Sequence, residues 1–164
     1  MPRAYNFAFI DGANLHFTYE NEDLGWKLDY QKLRNYLEKK LDVGVAYYFI
    51  GKIKEYQDIY TTLETYDYTI KPKEPSPYIS EEEYCPYCNK VIAPEIRKYK
   101  SDCDSFMTLQ IMLDSHIYDK AVIITSDGDF DNLVKRLLLQ DKLRMIFAPC
   151  REGCSWLLRS AARG

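Results

Sequence analysis

Short apolar runs alternate with longer stretches of helical period along this chain. NFAFID (Asn6 to Asp11), VGVAYYFIG (Val43 to Gly51), DYTIKP (Asp67 to Pro72), AVIIT (Ala121 to Thr125) and RMIFAP (Arg144 to Pro149) read as strands. Between them, residues 29–41 place Tyr30, Leu33, Leu37 and Leu41 on one helical face, and residues 55–66 repeat Tyr56, Ile59, Tyr60 and Leu63 at helix spacing. Residues 104–117 offer Phe106, Leu109, Leu113 and Ile117 as a further face, and residues 129–141 and 154–162 read as two closing helices. Apolar strands alternating with amphipathic helices predict an α/β fold whose parallel sheet is covered on both faces.

One segment interrupts this rhythm. Lys71 to Lys100 carries Pro72, Pro75, Pro77, Pro86 and Pro94, the acidic run Glu81-Glu82-Glu83, and the pair CPYC. It is too long for an ordinary strand-to-helix connection. An arm inserted at about residues 72–99 is therefore expected, within a single domain spanning residues 1–164.

Length and composition narrow the classes. A chain of 164 residues, 46% apolar and 29% charged, can bury one sizeable core. No apolar stretch approaches the roughly 20 residues of a membrane span, so no membrane partner is expected. The N-terminal MPRAYNFAFID lacks the pattern of a signal peptide, and the expected compartment is cytoplasmic. A net charge of −3 argues against a nucleic-acid coat protein with a broad basic face. It leaves room for an enzyme that holds nucleic acid through metal ions and a local basic rim. Five cysteines in a reducing compartment point to thiols or a metal site rather than a disulfide framework.

The carboxylates carry the chemistry. In an open parallel sheet, ligands bind beyond the C-terminal strand ends, near the point where strand order reverses. FIDGANL ends the first predicted strand with Asp11 and then Asn14; IITSDGDF ends the fourth with Asp127 and Asp129; Asp104, in KSDCDSF, falls in the first turn of a helix. If the first and fourth strands are neighbours, these acids converge, and crowded acids repel unless a cation joins them. Oxygen-only ligands favour Mg²⁺ or Mn²⁺. Each of Asp102, Asp104, Asp129 and Asp131 has a competing reading as a helix cap; Asp131 reads as a solvated first-turn acid. A calcium-binding EF-hand loop starting at Asp127 would need Gly at its sixth position and Glu at its twelfth, where Asn132 and Leu138 stand.

In their order, FIDGANL, KSDCDSF…LD and TSDGDFDNLVKRL resemble the three signature segments of the NYN domain, a branch of the PIN-like ribonuclease superfamily. The resemblance spans the chain apart from the arm. It implies a PIN-like three-layer α/β/α sandwich with a central, mostly parallel five-stranded sheet, and a divalent-metal-dependent endoribonuclease acting on RNA. The family pattern maps to Asp11, Asn14, Asp104, Asp127 and Asp129. Asp11, Asp104, Asp127 and Asp129 would hold Mg²⁺ or Mn²⁺; Asn14 would orient a phosphate or a ligating carboxylate; Thr125, Ser126 and Lys100 would meet the substrate phosphate. Lys71, Lys73, Arg97 and Lys98 are further candidates for guiding the backbone. Two departures stand out: Ser126 replaces the usual glycine before the strand-end acid, and Asp102 is an extra acid beside Asp104.

YCPYCNK resembles one knuckle of a zinc ribbon, and a structural Zn²⁺ held by Cys85, Cys88, Cys150 and Cys154 would join arm to domain. A site shared between two chains is the other arrangement, and with it a homodimer. Cys103 reads as a small buried apolar residue. Tyr78, Tyr84 and Tyr87 read as the arm's own small core, with base stacking as the alternative. His16 and His116 show no catalytic partner, and no nucleophilic triad is suggested. The competing functions are a non-catalytic RNA-binding module on the same fold and a metal-dependent phosphohydrolase with another substrate; Ala13, two residues after Asp11, disfavours an aspartyl-phosphate mechanism.

Overall fold

The computed structural model describes residues 5–21, 28–53, 57–93, 96–151 and 153–163; the side chains of residues 17–21, 93 and 96–100 lie outside that description. Five strands form the central sheet: β1 (Asn6–Asp11), β2 (Val43–Gly51), β3 (Thr69–Lys73), β8 (Ala121–Ile124) and β9 (Leu143–Phe147). Their order is β3-β2-β1-β8-β9 and every pairing is parallel. This is the expected α/β sandwich, and all five predicted strands are present.

The sheet is buried on both faces, which is why its strands read as continuous apolar runs. Ala8 and Ile10 of β1, Tyr48 and Ile50 of β2, and Val122 and Ile124 of β8 face one layer of helices. That layer comprises α1 (Gly12–Asn21), α2 (Tyr30–Leu41) and α3 (Gln57–Thr65). Phe9, Phe49, Ala121 and Ile123 face the other, built from α4 (Asp104–Leu113), α5 (Asp131–Leu139) and α6 (Trp156–Ala161). The chain leaves β1 towards β2 and β3 on one side, then returns to β8 and β9 on the other. The reversal falls between β1 and β8, and it creates a crevice at their C-terminal ends.

Most helix faces follow the periodicity. Leu37 and Leu41 of α2 and Tyr60 and Leu63 of α3 are buried; Tyr56 lies outside the described residues. Arg34 is an unexpected member of the buried face of α2. Its guanidinium bonds the carbonyls of Val43, Gly44 and Asp67 and pairs with the Asp67 carboxylate at 2.9 Å. The expected face of α4 is corrected. Met107 and Ile111 point inward, while Leu109, Leu113 and Ile117 are exposed. Asp104, Met107 and Ile111 share one side at i, i+3 and i+7, so the helix is rotated to bring Asp104 to the crevice. Cys103, just before α4, is buried as expected.

The arm consists of two antiparallel ladders, β4 (Ser76–Ser80) with β7 (Ile96–Lys100) and β5 (Glu83–Tyr84) with β6 (Val91–Ala93). The expectation that its tyrosines form a small core is overturned. Tyr78, Tyr84 and Tyr87 are all exposed, because a two-stranded ribbon has no second layer to cover them. Among the described residues no helix is long and apolar enough to cross a membrane.

Gly12, at the β1–α1 junction, allows α1 to sit directly on β2. A Cβ there would lie 2.3 Å from Tyr48 Cε1 and 2.5 Å from the Phe49 carbonyl oxygen. Gly12→Ala is expected to cost about 1–3 kcal/mol through overpacking, read as a lower denaturant midpoint at unchanged slope. A midpoint equal to wild type would contradict the close approach.

Candidate metal centre

The parallel register aligns Ile10 with Ile124 as the last matched pair of β1 and β8. One residue further, Asp11 and Thr125 meet. Both are buried, and the Thr125 hydroxyl donates to Asp11 Oδ2 at 3.0 Å. The same hydroxyl accepts the backbone N–H of Asp127 at 3.2 Å. The other oxygen of Asp11 accepts the backbone N–H of Asn14 at 3.0 Å, which caps the start of α1. A second tie crosses the crevice: Asn14 Oδ1 accepts both the backbone N–H of Ser126, at 3.0 Å, and its hydroxyl, at 2.8 Å.

Asp127 lies beyond the end of β8 in extended backbone and caps the turn Gly128–Phe130 that leads into α5, its Oδ1 accepting the N–H of Asp129 at 2.9 Å. Asp104 enters from α4. Its N–H donates to Asp102 Oδ1 at 3.3 Å, while Cys103 holds the cap position of the helix. Asp131 has another role: its carboxylate pairs with Lys135 one turn along α5, at 2.6 Å.

One carboxylate oxygen from each of Asp104, Asp127 and Asp129 lies within 4.8 Å of the others. Asp11, Asn14, Ser101, Asp102 and Cys103 join Asp104 and Asp127 around a cavity of ≈ 280 Å³. The electrostatics follow from this crowding. Burial pushes the Asp104 carboxyl up to about 7, reinforced by the charges of Asp11, Asp102 and Asp127. Burial also raises Asp11, against the hydrogen bonds from Asn14 and Thr125. The Cys103 thiol is pushed up to about 11, first by burial and then by Asp11. An oxygen-only set of mutually repelling carboxylates fits a hard divalent cation such as Mg²⁺ or Mn²⁺.

Thr125 and Ser126, expected to meet a phosphate, instead have their hydroxyls engaged inside the site, and Thr125 is fully buried. The side chains of Lys100, Arg97 and Lys98 lie outside the described residues. Lys71 lies over the Tyr47 ring at 4.5 Å, whereas the Lys73 ammonium donates to the Asp102 carbonyl at the site's rim. Ser101 escaped the sequence reading. Ser101 lines the cavity, while its hydroxyl is buried and has no hydrogen-bond partner among the described residues. Only its place between the arm and Asp104 marked it in the sequence.

The four cysteines proposed for zinc do not gather. Among the described residues the Asp104–Asp127–Asp129 cluster is the one group of three or more metal-ligating side chains close enough to share an ion. Cys150 is buried beside α6, its sulfur accepting the Gly153 N–H at 3.0 Å. Cys85 and Cys88 sit in the arm.

The NYN domain family matches residues 7–163. The chain belongs to the NYN domain family. NYN domains are part of the PIN-like nuclease group. Among curated proteins none matches this NYN domain in sequence. Among solved structures it is similar to a protein of unknown function, VPA0982 from Vibrio parahaemolyticus RIMD 2210633, at 16% identity and a TM-score of 0.67. That match covers 99% of this chain and 91% of the other, and it supports the fold.

The raised carboxyl of Asp104 sets a stability test. Without metal, the folded state binds this proton more tightly than the unfolded chain does. The group's contribution therefore favours folding below its ordinary value of 3.8 and turns unfavourable as pH rises towards about 7. In EDTA, Asp104→Asn is expected to melt higher than wild type near neutral pH, with the gap closing as pH falls. Mn²⁺ should raise the wild-type melting temperature and leave the variant nearly unmoved. A gap that widens in acid would refute the crowding.

Proposed function

We propose that this NYN domain is a divalent-metal-dependent endoribonuclease that hydrolyses RNA phosphodiester bonds with Mg²⁺ or Mn²⁺. The observation that carries the reading is the convergence of Asp104, Asp127 and Asp129 at the sheet's switch point, with buried Asp11 beside them. Asp104, Asp127 and Asp129 would hold the ion, with Asp11 shaping its field from the strand end. The bound ion would supply charge neutralisation at the scissile phosphate and a more acidic water.

The chain's own residues do the positioning. Asp11 cannot swing away, because its two carboxylate oxygens are tied to Asn14 and Thr125. Asp127 is held through its own N–H by Thr125 and through its side chain by the turn it caps. Asn14 locks α1 to the strand-end loop, so it orients carboxylates rather than phosphate. Lys73 at the rim would meet the RNA backbone, with Lys100 the further cation expected there. Exposed Asp102 and Asp129 leave the cleft accessible from the side, which suits cleavage within a strand. RNA is the substrate that the family implies.

Asp127→Asn and Asp11→Asn are each expected to abolish Mn²⁺-dependent cleavage of RNA while the circular dichroism spectrum persists. Full activity in both variants rejects the assignment, and cleavage of DNA alone transfers it to another substrate. Thr125→Val removes the hydroxyl that serves both acids. It should lower kcat by about 10–100-fold, with Thr125→Ser restoring most of it. Equal loss in the Val and Ser variants would show that packing, not the hydroxyl, matters there.

A further inference from the structure

The arm carries a second cluster that the acidic centre does not use. Cys85 and Cys88 flank the turn Pro86–Cys88 between β5 and β6. The hairpin closes through the Cys85 N–H to the Lys90 carbonyl, at 2.8 Å, and the Asn89 N–H to the Cys85 carbonyl, at 2.9 Å. Asn89 takes φ 53, the left-handed conformation that brings the chain back after the second cysteine. The backbone N–H groups of Tyr87 and Cys88, together with the Cys88 thiol, hold the Cys85 thiol below its ordinary range. Two cysteines brought together by one tight turn supply half of the four thiolates of a tetrahedral zinc site.

Among the described residues no further ligand gathers with this pair. Zinc in a structural site takes four ligands, and Cys150 and Cys154 do not approach the arm pair. The knuckle itself is open: Cys88 is exposed and Tyr87 is 97% exposed. Ile79, Val91 and Ile92 of the same arm are exposed apolar side chains, a surface that ordinarily marks a contact. A second copy related by a two-fold axis would bring the same two thiols to the same point and complete four ligands without any other residue.

We infer that Cys85 and Cys88 are a zinc half-site, and that two chains join arm to arm around one Zn²⁺ held by four thiolates. The pairing buries Tyr87 and the apolar residues beside it. This inference is independent of the nuclease reading, because the acidic centre lies outside the knuckle.

Cobalt reports the site, since thiolate-to-cobalt charge-transfer absorption arises from sulfur ligands and not from carboxylates. Reduced protein titrated with Co²⁺ alone should develop this absorption to saturation at one ion per two chains. Light scattering should show the dimer forming with it, and Zn²⁺ should displace the colour. Cys88→Ser, at an exposed turn position, should lose both absorption and dimer; Cys150→Ser/Cys154→Ser and Asp127→Asn should keep both. Absence of the absorption, saturation at one ion per chain in a monomer, retention in Cys88→Ser, or loss in Cys150→Ser/Cys154→Ser would each overturn the proposal.

Discussion

The hydroxyl of Thr125 has one proton and must use it in one direction. It donates to Asp11 and accepts from the N–H of Asp127, so a single buried atom ties the ends of the two central strands together. This works only because β1 and β8 are adjacent and in the register that matches Ile10 with Ile124. A slip of one residue would send every side chain of the strand to the opposite face and would separate Asp11 from Thr125. The register in turn rests on packing that fills both faces, with Phe9 and Ile123 on one side and Ile10 and Ile124 on the other. Placement of the acids is thus a consequence of the core, not of the loop that carries them.

Holding carboxylates together against their repulsion requires stiffness. Asp11 is fixed at both oxygens, Asn14 bridges α1 to Ser126, and Asp127 caps the turn it begins. Asp104 comes from the helix layer on one face, and its N–H donates to the neighbouring Asp102. Burial, reinforced by the charges of Asp11, Asp102 and Asp127, raises the Asp104 carboxyl to about 7. A cation would restore its charged form, so the energy stored in the metal-free cleft becomes affinity for the ion. Rigid strand-end acids and a helix acid with a raised carboxyl are different parts of one device.

The strands were legible because burial on both faces leaves unbroken apolar runs, and the acids were legible because they stood directly behind those runs. The phase of α4 was not. Its residues are apolar on more than one side, and Leu109, Leu113 and Ile117 make as regular a stripe as Met107 and Ile111. What selects the rotation is packing against the sheet, where Met107 and Ile111 are buried and Phe106 meets Phe49, and Asp104 is carried to the cleft with them. Arg34 was likewise unreadable, since its carbonyl partners lie at the far ends of other elements. The bonds that tie Thr125 to Asp11 and Ser126 to Asn14 depend on strand register, which periodicity does not encode. The arm's tyrosines were misjudged because apolar content suggested a core where the chain supplies only one layer.

Charge decides the order of events in the proposed reaction. The chain carries a net charge of −3, and its cleft concentrates carboxylates where a polyanion would have to sit. A bare cleft repels RNA. The described cation at its rim, Lys73, already donates to the carbonyl of Asp102, so it steadies that edge as much as it attracts phosphate. Affinity for the backbone would then come largely from an ion held by Asp104, Asp127 and Asp129, which would offset most of the local negative charge and offer the phosphate a cation to bind. On this argument the metal is the binding group as well as the chemical one. RNA without it should be held poorly at this site, because the acids that would organise the reaction also oppose the substrate's approach.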